Sequence, residues 1–401
     1  MYSSSMRNNA AETADWNFDD LPEQDLSLYV HFPYCVRKCR YCDFLSFPCG
    51  ENDFEAYTDR VCEEIRFRAG QLPGMRLRTV FFGGGTPSLM QPQQAARILQ
   101  AAAESFAMAK DPEITMECNP GTVDYDRLVG FRQAGINRLS FGLQSMKDDE
   151  LAYIGRIHTR QEFLANYAHA RKAGFENINI DLMSALPGQS LADYEETLRE
   201  TLALQPEHIS AYSLIIEEGT PFWNMYGEKT AEGALPLPDE DAERAMYYLT
   251  KKLCMQHGYQ RYEISNYAKP GRECRHNLVY WYRGNYLGVG LGASGMIGSR
   301  RFRVTADLEK YFLTFEPQEV TALSEQDKME ETMFLGLRCR RGISTDSFRR
   351  KFGMDIWNVY GPVLEKYERS GHLVCDREQH RIRLTDRGID VSNIVLADFL
   401  L

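Results

Sequence analysis

Between residues 26 and 214 the chain alternates short runs rich in β-branched and aromatic residues with longer stretches whose apolar positions recur at helical spacing. The short runs fall at 27–32, 79–82, 113–117, 138–141, 177–182 and 208–214. Phe54, Tyr57, Val61, Ile65 and Arg68 mark one face of the first helical stretch, and 191–204 forms the last. Six β-α units in succession predict an α/β fold with a parallel sheet, because joining parallel neighbours takes a crossover that a helix supplies. The unusual residues then decide how that sheet curves. Cysteines follow the first run, Gly83-Gly84-Gly85-Thr86-Pro87 the second, Glu117 and Asn119 the third and Gln144 the fourth, while Asp181 sits near the end of the fifth. In a doubly wound sheet only the residues near the switch point would meet, whereas in a barrel all strand ends converge on one mouth. The pattern therefore predicts a partial (β/α)6, TIM-like barrel over 26–215, with an extension and connecting region over 216–326. From 327 the pattern changes to helical stretches at 329–337, 343–352 and 363–370, a hairpin at 372–375 and 381–384, and a last helix from Thr385. That order predicts a mostly helical, winged-helix-like C-terminal domain.

Composition adds limits. A chain of 401 residues exceeds one compact core, which agrees with the several domains read from the pattern. Forty-six basic against fifty-seven acidic residues give a net charge of −11, which disfavours broad electrostatic binding to nucleic acid or an anionic membrane. Residues 1–25 hold Asp15, Asp19, Asp20, Glu23 and Asp25 and lack a basic segment followed by an apolar core. They read as a disordered leader rather than a signal peptide. With no stretch near the ~20 apolar residues of a membrane span, a cytoplasmic protein with reduced thiols is expected.

Cys35, Cys39 and Cys42 stand with three and then two residues between them, directly after the first apolar run. Three thiolates can hold a four-iron cluster and leave one iron without a protein ligand, where a small molecule can bind. Disulfide pairing is the rival reading, and a reducing compartment argues against it. Apart from Cys274, the other cysteines (Cys49, Cys62, Cys118, Cys254, Cys339 and Cys375) show no metal spacing and read as plain thiols.

Tyr29-Val-His31-Phe-Pro33-Tyr-Cys35 through Cys42, followed in order by Gly84-Gly85-Thr86, Met-Glu117-Cys-Asn-Pro, Gly-Leu-Gln144-Ser, Ile-Gly-Arg156 and Ile-Asp181-Leu, resembles the radical S-adenosylmethionine (SAM) enzymes. Within them the chain resembles the oxygen-independent coproporphyrinogen III oxidase group, across roughly residues 26–401. The resemblance implies a [4Fe-4S] cluster on Cys35, Cys39 and Cys42, and SAM held by Tyr29, Gly84, Gly85, Thr86, Glu117, Gln144, Arg156 and Asp181. In that assignment the glycine turn leaves room for the methionine part, the Arg156 fork suits its carboxylate and Asp181 suits the ribose diol, with Glu117 and Gln144 completing the polar wall.

Two departures bear on activity. The decarboxylating oxidase carries a fourth cysteine two positions after the third, where this chain has Phe44, and it has a longer segment before its first strand. A second motif, His276-Asn-Leu-Val-Tyr280-Trp281, resembles the signature of the heme chaperones of the group. It implies heme as a ligand, with His276 on the iron, Tyr280 and Trp281 against the macrocycle and Cys274 a less favoured thiolate. The function so implied is binding heme and delivering it to apo-proteins. Coproporphyrinogen III oxidation is the alternative, and RNA modification a third reading that rests on the basic cluster alone. The implied partners are heme, heme-accepting apo-proteins and an electron donor, with membrane contact only through the recipient, no nucleic acid, and a monomeric or dimeric state. The cluster Arg338, Arg340, Arg341, Arg349, Arg350 and Lys351 reads as a protein or heme contact surface, and Gly288 to Gly295 as close backbone packing near the mouth.

Overall fold

Alternation along the first strand, β1 (Asp25–Phe32), sorts its side chains: Leu26, Leu28, Val30 and Phe32 are buried in the core under the helices, leaving Ser27, Tyr29 and His31 on the other face. The computed structural model describes residues 16–48 and 52–401, so the readings for residues 1–15 and Cys49 lie outside the described residues. The remaining predicted strands are β2 (Arg76–Gly84), β3 (Ala107–Cys118), β4 (Arg138–Gln144), β5 (Ile178–Ser184) and β6 (His208–Ser213). All six are parallel and neighbour one another in chain order, the open partial barrel that the pattern predicts. Register pairs Ser27 with Thr79, Tyr29 with Phe81 and His31 with Gly83, so polar and aromatic groups line the inside. Helices return the chain between strands, with capping boxes such as Thr159 with Glu162 and Ser190 with Asp193 at their starts.

The sheet runs on past the six strands at both edges. Beside β6 lie the antiparallel β7 (Gln260–Arg261) and β8 (Asn266–Ala268). Against the other edge of β1 lies a further parallel strand, β9 (Asn285–Val289), continued by the antiparallel β10 (Ser294–Ile297), β11 (Arg300–Arg303) and β12 (Glu319–Ala322). The order is β12-β11-β10-β9-β1-β2-β3-β4-β5-β6-β8-β7. These strands satisfy backbone groups that β1 and β6 would otherwise expose. For that reason most of 216–326, expected as a barrel extension and connecting region, belongs with the six strands to one compact unit made of Gln24–His276 and Asn285–Leu323. The glycine-rich stretch after β9 packs as read: a side chain at Gly290 would lie 2.5 Å from the His31 carbonyl oxygen, and one at Gly292 2.4 Å from Leu45.

The second unit comprises the described part of the first 23 residues, Asn277–Gly284 and Ser324–Leu401. Its helices Glu325–Gly336, Thr345–Phe352 and Ile356–Arg369 precede the hairpin Leu373–Asp376 and Arg381–Leu384, which a short strand, Ile343–Ser344, extends to three. Residues 16–25 correct the reading of a disordered leader. Phe18 stacks between Trp16 and Tyr282 at centroid distances of 5.3 and 5.5 Å. Asp19 pairs with Arg341 at 2.7 Å and with Arg381, and Asp20 pairs with Arg350. Arg349 pairs with Asp355, and Arg340 with Asp386 at 3.1 Å. The basic cluster is thus largely matched within its own unit. Asp19 and Asp20, read as part of that leader, are among its counter-ions. Among the described residues no helix is long and apolar enough to cross a membrane.

Candidate functional site

The cysteine loop leaves the C-terminal end of β1 and is closed by a two-residue ladder, Tyr34–Cys35 against Phe47–Pro48. It is clamped from one side. Arg37 donates to the carbonyls of Gly155 and Arg156, both at 2.9 Å, and the Arg40 amide donates to the Ile154 carbonyl at 3.0 Å. Gly155 adopts φ +84°, and a Cβ there would sit 3.2 Å from the Arg40 amide, so the clamp requires glycine. Cys35 is buried, Cys39 and Cys42 are partly exposed, and every described cysteine is a free thiol. Burial pushes the Cys42 thiol up to about 11; Cys39 and Cys35 add to that rise, while the Phe44 backbone and Lys38 oppose it. Within the loop the Cys42 amide donates to the Cys39 carbonyl at 3.4 Å. Among the described residues no three His, Cys, Asp or Glu stand close enough to hold a single metal ion. A soft-donor set of three free thiols on one loop fits a larger iron–sulfur cluster instead.

A chain of hydrogen bonds ties the first cysteine to the ends of the other strands. Thr86 Oγ1 donates to Cys35 Sγ at 3.4 Å, Asn119 Nδ2 to Thr86 at 2.9 Å, and Arg156 Nη1 to Asn119 Oδ1 at 2.8 Å. Arg156 Nη2 donates to the Tyr41 hydroxyl at 2.9 Å. Its Nε is buried with no partner, a donor held ready for an anion such as a carboxylate. Gly142 keeps the guanidinium in place, since a Cβ there would lie 3.0 Å from Arg156 Nη2. Two residues on, Gln144 takes φ +73° where the β4–β5 register shifts, and its Nε2 stands near the same point.

On the next part of the wall the Gly84 amide donates to Glu117 Oε2 at 3.1 Å. The glycine turn has a reason inside the protein beyond room for a ligand. A Cβ at Gly83 would lie 2.9 Å from Tyr29, at Gly84 (φ +109°) 2.5 Å from His31, and at Gly85 2.6 Å from the Tyr34 carbonyl oxygen. Asp181 accepts from Asn179 Nδ2 at 2.7 Å and from Ser140 at 3.4 Å. Tyr29, Gly84, Gly85, Glu117, Arg156 and Asp181 all keep partial exposure. Burial pushes Glu117 up to about 8, with the Asp181 charge adding to the rise and the Gly84 amide opposing it. Burial raises Asp181 as well.

That shift carries a prediction. A carboxyl whose folded pKa lies above its unfolded value takes up a proton on folding, so its stability contribution is present at low pH and is lost as pH rises toward 8. Glu117→Gln keeps an acceptor for Gly84 and removes the buried charge. Its melting temperature at pH 8 should exceed that of the wild type by a few degrees, the gap closing toward pH 5, while SAM affinity falls. An unchanged gap between pH 5 and 8 in thermal scans would contradict the assignment.

His276 is not where an exposed ligand would be. It is 1 % exposed, its Nδ1 lies 2.7 Å from Thr79 Oγ1, and its ring stacks on Phe81 at 5.0 Å. Burial pushes its pKa down to about 3, with Arg138 adding to the fall. Thr79 pairs with Ser27 near the start of β1, so the imidazole sits toward the end of the barrel opposite the cysteines. The imidazole implied as a ligand of heme iron is thus enclosed by barrel side chains in this structure. Tyr280 and Trp281 belong to the other unit, where the Arg338 guanidinium lies 4.6 Å over the Trp281 ring. Cys274 is buried, with its thiol 3.7 Å from Glu113.

Asn119, Tyr41, Arg37, Asn179 and Ser140 carry much of this geometry without having been assigned roles from sequence. Asn119 and Tyr41 had a signal, one lying just past a strand and the other beside the third cysteine. Arg37, Asn179 and Ser140 had none.

An open parallel barrel with a cysteine triplet at its mouth and a polar wall built from successive strand ends defines a radical SAM domain. Residues 29–201 match the family model of the Radical SAM superfamily, and 323–391 that of the HemN C-terminal domain. "Heme chaperone HemW" of Lactococcus lactis is 36 % identical over 379 residues, covering 94 % of this chain and 97 % of the relative. The protein of the same name from Bacillus subtilis is 34 % identical over 381 residues, 93 % and 99 % of the two chains. That of Escherichia coli is 42 % identical over 275 residues, 68 % and 70 %. The chain belongs to the HemW family of radical SAM proteins. Coproporphyrinogen III oxidase (HemN) from Escherichia coli, at 24 % identity and a TM-score of 0.81 over 94 % of this chain and 90 % of that one, has the same fold.

Proposed function

We propose that this protein is a heme chaperone that carries a [4Fe-4S] cluster and SAM and delivers heme to apo-proteins. The observation that carries the proposal is near full-length similarity to proteins named heme chaperone HemW, in both units and across the connecting segment. Phe44 in place of a fourth cysteine supports chaperone activity over porphyrinogen oxidation. Cys35, Cys39 and Cys42 would hold the cluster, which when bound offers an iron with an open coordination position and a one-electron donor. Arg156 Nε would take the SAM carboxylate, and Glu117 with the Gly84–Thr86 turn its amino group. Asp181 would take the ribose hydroxyls, with Tyr29 and Gln144 closing the wall. A compartment that keeps thiols reduced, the cytoplasm, suits such a site, and an electron donor would be a partner.

The test is anaerobic reconstitution with iron and sulfide followed by hemin titration. A saturable Soret band and transfer of heme to apo-myoglobin are expected, with no protoporphyrinogen formed from coproporphyrinogen III in the presence of SAM and a reductant. Protoporphyrinogen formation without heme transfer would make it an oxidase.

A further inference from the structure

His276 ends a column of rings inside the barrel that leads to the glycine turn. Its imidazole stacks on Phe81 (centroids 5.0 Å, interplanar angle 28°), and Phe81 stacks on Tyr29 (6.3 Å, 26°). Tyr29 and Phe81 in turn form the floor of Gly83: a Cβ on that residue would lie 2.9 Å from Tyr29 Cε2 and 3.1 Å from Phe81 Cε1. The Tyr29 hydroxyl then bonds His31 Nδ1 at 3.1 Å, and the His31 ring lies directly beneath Gly84. From below, the imidazole is pinned by backbone and side chain together. Glu113 accepts from the amides of Arg275 (3.1 Å) and His276 (3.0 Å), fixing the start of the helix Arg275–Trp281. Thr79 bonds Nδ1 while donating its own hydroxyl to Ser27 at 2.7 Å.

We infer that His276 is a positioning residue for the Gly83–Gly84 turn, acting through Phe81 and Tyr29, and that it is not an axial ligand of heme. The inference rests on reading that turn as a SAM contact. Removing the imidazole leaves a void behind Phe81, the rings relax into it, and the turn loses its floor. The requirement is for a flat ring of that size rather than for a ligating nitrogen, so phenylalanine should serve. Thr79 keeps Ser27 as a partner when the nitrogen is gone.

The experiment uses the full chain, reconstituted anaerobically, with SAM binding measured by equilibrium dialysis and hemin binding by the Soret band. His276→Ala should weaken SAM binding about tenfold with iron content unchanged, as expected when a supporting contact is lost. His276→Phe should restore SAM affinity to about the wild-type level, and both variants should keep the Soret band at its wild-type position. Should the alanine variant fail to fold, Phe81→Leu thins the same column one ring nearer the turn and carries the same expectation. Equal SAM affinity in His276→Ala and wild type would overturn the positioning role. A Soret band lost or displaced in His276→Phe would show that the imidazole is a ligand after all. Failure of the wild type to bind SAM would instead remove the reading of the turn, and the Soret comparison would still decide the question of ligation.

Discussion

Cys39→Ala protein, reconstituted anaerobically with iron and sulfide, loses most of the iron and sulfide that the wild type retains. With Cys39 gone, two thiolates remain for a cube that needs three, and the two irons left without protein ligands exchange with solvent. The loop itself should survive. Its clamps run through the Arg37 guanidinium and the Arg40 backbone, and Cys39 is partly exposed rather than a core residue. The melting temperature of the metal-free variant should therefore match that of the metal-free wild type, which separates loss of the cluster from loss of the fold. Iron and sulfide analysis together with the visible spectrum decides it, and wild-type iron content in the variant would remove the cluster from this loop.

Asp181→Ala protein should keep its cluster spectrum and bind SAM more weakly. Truncating one member of a buried hydrogen-bonded pair costs about 1–3 kcal/mol, which is roughly five- to 150-fold in affinity. The local structure should hold, because Asn179 Nδ2 also bonds Ser140 at 2.7 Å and Asn179 Oδ1 is held by His208 at 2.6 Å. Removing a carboxyl whose charge burial disfavours should not lower stability. Wild-type SAM affinity in this variant would place the ribose elsewhere on the wall.

Much of this site is legible in the chain because parallel β/α units bring strand ends to one place. Once the strands are recognised, residues as far apart as Cys35 and Asp181 are bound to face one mouth. Strand β9 escaped notice since its run is short and merges with glycines, which look like turns when read in isolation. Ser140 and Asn179 escaped as well: a serine or an asparagine in a strand carries no signal until a carboxylate is found beside it. Asp19 and Asp20 read as part of a disordered leader for the same reason, their arginine partners lying more than 300 positions away.

By itself the sequence determined the six-unit parallel architecture, the cysteine triplet at its opening and the family resemblance, all of which depend on local spacing or on order along the chain. Only the tertiary structure decided which face each polar group serves. It enclosed His276 at the far end of the barrel, paired the leader with the basic cluster, and left Arg156 Nε without a partner. Burial and hydrogen-bond satisfaction depend on neighbours brought from distant parts of the chain, and no local pattern records them.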